Sequence, residues 1–575
     1  MPKLPTALSI WRRALLARPL GLEPPRYAVD VERAIAVAMP DGVRLLTDHY
    51  TPRDAGPCPT ILIRTPYGRG REVALGGGYA LGELPAQRFA ERGYHVVVQG
   101  VRGCYDSEGD FVPHLNEAAD GRATVDWIAR QPWFDGRLAL WGPSYLGYTA
   151  WAAAGGAGPH LSAMLLQVTS AENYTVTHPD GAFGLETRLR WAQGIHTQAR
   201  LHGRGLGRTL RHRLWGHDEQ KLEAAFGHLP LGEADVAAAG EPIPFFRDLL
   251  AHPDEDDAFW QARDHRGAVA AVEAPVHLVG GWYDYYLRGL LRDYAALREA
   301  GRRPHLTLGP WHHGSAEGLM TGLREGLAWF KAQLKEEGAG LARKPVRLYL
   351  MGADEWLEME DFPPPARATR YYLQSEHGLA AEPPPDDSPP DRYVYDPADP
   401  TPAVGGALLA LRGAGAQDNA PLEARSDVVC YTTAPLAADL DVIGPARLAL
   451  YVRSSREHTD FFGRLCDVDP DGTSTNVCDG LLRLEPGGEQ PRSDGAVRIE
   501  IELWPTAHRF QAGHRLRLQI SSGAHPRWSR NLGYGEPLLT AQRLAVAEQT
   551  IYHDAARPSA LVLPVVDASA FGPGE

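Results

Sequence analysis

A serine, an aspartate and a histidine, each standing just after an apolar run, give this chain the residue types that cleave esters and amides. Ser144 lies in Leu138-Ala-Leu-Trp141-Gly142-Pro143-Ser144-Tyr145-Leu146-Gly147, where a strand-like run meets a tight Gly-X-Ser turn. The small-residue run Tyr148-Thr-Ala-Trp-Ala-Ala-Ala154 leaves the turn as a helix. That order builds a nucleophile elbow, the strained strand-to-helix turn that lifts a hydroxyl clear of a sheet. The helix start aims free N–H groups at the place where negative charge would develop. The second glycine of the usual G-x-S-x-G pattern is displaced to Gly147, and Leu146 fills its place. By itself the motif therefore also reads as a structural turn.

A serine hydroxyl is a poor nucleophile until a base takes its proton and an acid orients that base. In an α/β-hydrolase these follow the serine in the order acid, then histidine, each on a loop after a strand. Val276–Val279 runs into Gly280-Gly281-Trp282-Tyr283-Asp284, and His305–Leu308 runs into Gly309-Pro310-Trp311-His312-His313-Gly314. Asp284 and His313 thus stand where acid and base belong, with His312 a direct competitor for the second role. The oxyanion of acyl transfer needs two donors. The N–H of Tyr145, directly after the serine, is expected to be one. The second is expected from Thr65-Pro66-Tyr67-Gly68, where the Tyr67 hydroxyl reads either as a donor or as an ordinary buried tyrosine.

These positions require a parallel sheet beneath them. Residues 35–51 read as a hairpin around Pro40-Asp41-Gly42; Thr60–Ile63, His95–Val98 and Leu161–Val168 read as strands, and 117–130 as a helix. Alternating strands and helices mean an α/β sheet. Helical stretches rich in Arg, His and Trp over 171–265 read as an inserted cap. Leu323, Leu327, Phe330 and Leu334 mark an amphipathic helix. After residue 343 strand alternation dominates, as in Val497, Ile499, Ile501 and Leu503 with Arg498, Glu500 and Glu502 between them. Leu516, Leu518 and Ile520 repeat it, with Arg515, Arg517 and Gln519 expected outward. The boundaries are set at 1–152 and 268–342 for the two parts of the core, 153–267 for the cap, and 343–575 for an all-β jelly roll.

The 575 residues carry a net charge of −14, without the basic footprint that a nucleic-acid partner requires. No apolar run reaches membrane-spanning length. Trp11-Arg12-Arg13-Ala-Leu-Leu16 reads as a surface segment and not as a signal peptide, so a cytoplasmic location is expected. The five cysteines are scattered, lack metal-ligand spacing and read as free thiols. No metal or cofactor is expected. The oligomeric state stays open, a homo-oligomer included.

The runs Gly142-Pro-Ser-Tyr-Leu-Gly147, Arg64-Thr-Pro-Tyr-Gly68, Gly281-Trp-Tyr-Asp284 and Gly309-Pro-Trp-His-His313 together resemble the CocE/NonD hydrolases, cocaine-esterase-like relatives of the X-prolyl dipeptidyl-peptidases. The resemblance extends through His252-Pro253, Asp460-Phe461 and Gly513–Leu518. It implies an α/β-hydrolase core, a helical cap and a C-terminal jelly roll. It implies Ser144 as nucleophile, Asp284 as acid, His313 rather than His312 as base, and Tyr67 as side-chain oxyanion donor. One run departs from the family: Gln-Asp-x-Arg-Gly is here Gln99-Gly100-Val101-Arg102-Gly103, so an Asp–Arg pair is expected to be missing from the loop holding Arg102 and Ser107.

The expected reaction is hydrolysis of a small-molecule ester or amide through an acyl-enzyme. Phe183, Trp191, Phe245, Phe246 and Trp260 in the cap, with Tyr285 after the acid, read either as an apolar acyl pocket or as the cap's own core. The rival reading is an X-prolyl dipeptidyl-peptidase, which must hold a substrate ammonium with carboxylates such as Glu186, Asp256 or Asp257. A rival of another class is a ligand- or carbohydrate-binding protein with an inactive hydrolase core.

Overall fold

Isoleucine, valine and leucine runs with no polar face, such as Thr60–Ile63 and His95–Val98, form strands covered on both sides. In the computed structural model, which describes residues 21–70, 78–202, 217–335, 341–487 and 492–567, they lie in the middle of a ten-stranded sheet. Its strands are β1 (Val29–Ala38), β2 (Arg44–Pro52), β3 (Cys58–Thr65), β4 (His95–Gly100), β5 (Phe134–Pro143), β6 (Leu161–Gln167), β7 (Val276–Tyr283), β8 (His305–His312), β9 (Val346–Leu350) and β10 (Glu355–Met359). The spatial order is β1-β2-β4-β3-β5-β6-β7-β8-β9-β10. Strands β4 through β9 run parallel, and the β1–β2 hairpin and β10 close the edges antiparallel.

Period-2 alternation sorts side chains to the two faces. Leu62, Val97, Leu138 and Leu140 share a core with Trp151, Ile128 and Leu290. Those three belong to α3 (Tyr145–Ala157), α2 (Glu117–Ala129) and α6 (Leu287–Glu299). Ile61, Ile63, Val96, Val98 and Trp141 share the opposite core with Phe89, Trp329 and Phe330. These come from α1 (Leu84–Ala90) and α7 (Ala316–Leu334). The expected amphipathic face of α7 is therefore the one that buries Leu323, Phe330 and Leu334.

Three strands lie elsewhere than the expected boundaries put them. Strand β6 pairs with both β5 and β7, so the core sheet continues past residue 153, and helices inserted between β6 and β7 form the cap. Among them are α4 (Leu185–Leu201) and α5 (Pro244–Ala251). Strands β9 and β10 belong to the core sheet and not to the sandwich expected from residue 343. The alternation of Val346, Leu348 and Leu350 specifies a half-covered strand, but nothing local says which sheet it joins.

From Arg367 onward two sheets face each other. The larger runs Leu379–Ala380, Arg367–Leu373, Ala560–Val566, Leu440–Ser454, Ala547–Tyr552, Asp391–Tyr395, with Val497–Phe510 also paired to Leu440–Ser454. The smaller runs Val429–Thr432, Arg515–Ser521, Thr459–Val468, Ser474–Leu484. Ile499, Ile501 and Leu503 meet Leu516, Leu518 and Ile520 between them, as the alternation required. Gln519, expected outward, is buried, because Glu423 covers that face and accepts from its amide at 2.8 Å.

The sandwich is tied to the rest of the chain near the strand ends. The Tyr283 hydroxyl at the end of β7 donates to the Asn476 carbonyl at 2.9 Å. In the cap, Glu186 accepts from Leu409 N at 2.9 Å, Ala410 N at 3.0 Å and Arg190 Nε at 2.6 Å. No helix among the described residues is long and apolar enough to cross a membrane. The five cysteines are free. The reading of Trp11–Leu16 as a surface segment lies outside the described residues.

Hydrogen bonds to a charged group contribute about 1.5–3 kcal/mol each. Glu186→Ala is expected to lower stability by roughly 2–4 kcal/mol in chemical denaturation and to open residues 404–417 to limited proteolysis. An unchanged digestion pattern would show that this carboxylate does not hold the loop.

Candidate active site

Ser144 sits at the end of β5 with φ 55° and ψ −127°, a conformation that a non-glycine residue adopts at a cost of about 1–3 kcal/mol. The surrounding backbone over-determines it. Ser144 N donates to the Gln167 carbonyl at 2.8 Å, and the Ser144 carbonyl accepts from Gly147 N at 2.9 Å and from Thr169 Oγ1 at 2.8 Å. A Cβ on Gly142 would overlap the Leu146 carbonyl, and one on Gly147 would overlap Thr169 and the Gly142 carbonyl. The displaced glycine is thus required by contact with Thr169. The position three residues after the serine, not two, faces that neighbour.

His313 Nε2 lies 3.0 Å from Ser144 Oγ, and His313 Nδ1 lies 2.8 Å from Asp284 Oδ2. Asp284 is buried, and its other oxygen accepts from Tyr286 N at 2.7 Å. His312 is the last residue of β8, and its Nδ1 has no partner among the described residues. Tyr285 stacks on the His313 ring at 4.3 Å between centroids. Leu411, from the sandwich loop, covers the backbone at Gly314.

The Tyr67 phenol accepts from Trp191 Nε1 at 3.1 Å. Burial pushes its pKa above the ordinary tyrosine value, and hydrogen bonds from Trp191 and with Ser144 offset only part of that rise. Tyr145 is the first residue of α3, so its N–H has no carbonyl one turn earlier in the helix. Its hydroxyl is held in a buried network: it donates to Glu117 Oε1 at 2.9 Å and accepts from His114 N at 2.9 Å, while Arg64 pairs with Glu117 at 3.0 Å.

The candidate pocket aromatics separate into two groups. Trp191, Phe245 and Trp260 line a narrow cavity, with Trp191 stacked on Tyr145 at 6.0 Å. Phe183, in the loop before α4, and Phe246, on the inward face of α5, are wholly buried in the cap's own core with Leu185, Leu189 and Leu250. Tyr285 stays beside the histidine. Arg102, whose family partner Gly100 replaces, is held instead by Asp120 at 2.6 Å and Asp41 at 2.6 Å. Ser107 bonds the Gly100 carbonyl at 3.0 Å, where an aspartate side chain would crowd it. Sequence reasoning missed Thr169, Gln167 and the His114–Glu117 network, none of which carries a local signal. Among the described residues no group of three or more His, Cys, Asp or Glu side chains could hold a metal ion.

Residues 41–315 match the model of the X-Pro dipeptidyl-peptidase (S15 family), and residues 340–562 match the X-Pro dipeptidyl-peptidase C-terminal non-catalytic domain. The chain is 32% identical to the cocaine esterase of Rhodococcus sp. (strain MB1 Bresler), over 92% of this chain and 98% of that protein. The chain belongs to this family. It is a serine hydrolase of the CocE/NonD kind. Among solved structures it is similar to an aminopeptidase from a marine sediment Thaumarchaeota archaeon, with a TM-score of 0.78, 23% identity and coverage of 94% of this chain and 97% of that one. An α-amino acid ester hydrolase gives a TM-score of 0.77, 23% identity and the same coverage. At that identity the two likenesses show the shared fold alone.

Gly147→Val places a branched side chain against Thr169 and the Gly142 carbonyl. Overpacking of this kind costs about 1–3 kcal/mol. A lower melting temperature together with lost fluorophosphonate labelling is expected. Full labelling at wild-type stability would show that the turn does not depend on this contact.

Proposed function

We propose that this chain hydrolyses carboxylic esters or amides through an acyl-enzyme on Ser144. The continuous hydrogen-bonded line from Ser144 through His313 to Asp284 carries the reading. Asp284 accepts from His313 Nδ1, which leaves the Nε2 lone pair facing the serine hydroxyl. His313 takes the hydroxyl proton as Ser144 attacks the carbonyl carbon. The oxyanion is held by the Tyr145 N–H and the Tyr67 hydroxyl. His313 then protonates the departing alcohol or amine. Water, activated by the same histidine, attacks the acyl-enzyme, and the acid leaves as Ser144 recovers its proton. The Trp191 N–H donates into the Tyr67 oxygen, which leaves the phenol proton to point at the oxyanion and increases its acidity as a donor.

The carboxylates available in the cap support the esterase reading over an aminodipeptidase. Glu186 is engaged by Arg190 and the sandwich loop. Asp257 caps a short helix through Phe259 N and pairs with His252, and Asp256 is exposed. None of these three lines the cavity beside Trp191, whose one carboxylate, the exposed Asp248, faces Arg263. The strain retained at Ser144 supports a working nucleophile over a binding module with an inactive core.

A fluorophosphonate probe is expected to label Ser144 alone, and Ser144→Ala to abolish both labelling and turnover of p-nitrophenyl esters with little change in melting temperature. His313→Ala is expected to lose several orders of magnitude, and Asp284→Asn about 10⁴ in kcat. His312→Ala is expected to lose far less; the reverse ranking of the two histidines would overturn the assignment. Faster cleavage of aminoacyl-prolyl anilides than of p-nitrophenyl esters would favour the dipeptidase.

Tyr67→Phe keeps the ring and removes the donor. A loss of about 10²–10³ in kcat with KM little altered is expected. The donor works only as the neutral phenol, and burial raises its pKa above the usual value of about 10. The activity of the wild-type chain is therefore expected to show no alkaline decline from this group up to about pH 10. A descending limb near pH 9 that Tyr67→Phe removes would contradict this environment.

A further inference from the structure

The cavity bordered by Trp191 and Phe245 is lined by two buried arginines, Arg188 and Arg263. Arg188 is 3% exposed and Arg263 7%. Arg188 precedes Trp191 by three residues on α4, so the two side chains share a helix face. Its guanidinium is held by the carbonyl and side-chain oxygens of Asn173, and its Nε–H has no acceptor among the described residues. Arg263 donates to the Pro113 carbonyl at 3.2 Å and the Phe259 carbonyl at 2.7 Å, and its guanidinium carbon lies 3.6 Å from the centre of the Phe259 ring.

Neither arginine forms an ion pair with a carboxylate among the described residues. Of the acids nearby, Glu172 is engaged elsewhere and Asp248 stands exposed in the cavity lining. Glu172, the acid nearest in influence to Arg188, bonds Thr175 and Arg292. Asp248 is exposed at the rim and acts on Arg263. His114, the third basic side chain in the wall, is wholly buried; burial first, and then the charges of Arg188 and Arg263, hold its pKa far below the ordinary histidine value. Buried charges are ordinarily paired, because a cation taken out of water without a counter-charge is costly. Two such cations around one cavity make a half-built ion pair.

This cavity adjoins the reacting centre. Trp191 lines it and also donates to Tyr67, while Arg188 lies beside the Tyr286 phenol, whose ring is 5.7 Å from that of His313. The leaving group must face His313, which protonates it. The Trp191 side of the cleft is left for the acyl part. Trp191 and Phe245 pack at 5.6 Å between centroids, so this pair must part to admit a chain.

We propose that Arg188, assisted by Arg263, binds a carboxylate at the far end of the substrate's acyl group, so that the preferred substrates are esters or amides of dicarboxylic acids left free at one end. The proposal rests on the serine-hydrolase reading of the same site. A guanidinium suits it because its fork of N–H donors matches a carboxylate edge.

The test compares p-nitrophenyl hydrogen adipate with p-nitrophenyl methyl adipate, whose distal ends are a free carboxylate and its neutral methyl ester. The wild-type chain is expected to favour the acid by at least about tenfold in kcat/KM. Arg188→Gln is expected to bring the ratio near one, and Arg188→Lys to keep part of it. Equal or reversed preference in the wild-type chain overturns the proposal, as does an unchanged ratio in a folded Arg188→Gln. An unfolded variant leaves a second wild-type measurement decisive: free adipate is expected to inhibit neutral-ester hydrolysis competitively and adipamide not, and equal inhibition overturns the site. A chain that labels at Ser144 and cleaves the neutral ester without charge preference refutes the anion site alone. A chain whose Ser144 takes no label refutes the serine mechanism beneath it.

Discussion

The backbone at Ser144 is the constraint on which the rest of the site depends. A residue held at positive φ must be gripped from several directions, since its own preference is to leave. Here the grip comes from the two strand ends and the helix that meet at the turn. Gln167 closes it from β6, Gly147 from α3, and Thr169 reaches back to the serine carbonyl. Because β5 and β6 are hydrogen-bonded neighbours in a sheet covered on both faces, none of these contacts can move without disturbing the core. The strain is thereby made compatible with a stable fold, and the hydroxyl stands where a histidine from three strands away can reach it.

That reach is set by sheet order. Strands β5, β6, β7 and β8 are consecutive neighbours, so the loops after β5, β7 and β8 open at the same edge of the sheet. Asp284 and His313 meet there although 29 residues separate them, and His313 meets Ser144 across 169 residues. The cap and the sandwich finish the walls. Trp191 arrives from the cap to bond Tyr67, and Leu411 arrives from the sandwich beside Gly314. Glu186 links these two additions directly, which couples the roof of the cleft to its side.

The electrostatics of the cleft divide into two regions. Around Asp284 and Glu117 the negative charges are matched by an imidazole, a guanidinium and hydroxyl or amide donors. Around Arg188 and Arg263 the positive charges meet neutral oxygens and aromatic faces, with one exposed carboxylate, Asp248, at the rim. A cleft that is satisfied on one side and short of negative charge on the other favours substrates that supply it.

Much of this was legible in one dimension. Ser144, Asp284 and His313 each follow an apolar run, and chain order alone assigns roles to strand-end residues in a parallel sheet. The α/β core, the helical insertion and the alternating strands were legible for the same reason: period 2 and period 3.6 are local. What stayed hidden depends on contacts between segments far apart. The residue pattern alone leaves His312 and His313 open, and only the family resemblance favours His313; which ring faces Ser144 and Asp284 is a matter of tertiary contact. Trp191 and Phe246 carry the same aromatic signal, yet one lines the cleft and the other fills the cap core. Strands β9 and β10 carry a pattern that any half-covered strand would show, and only pairing decides their sheet. Arg102 finds Asp120 and Asp41 in place of a neighbour it lacks. The sequence by itself determined the residue types and the periodicities, because these act within a few residues. The tertiary structure decided orientation, partner and burial, because those energies arise only when distant segments exclude water together.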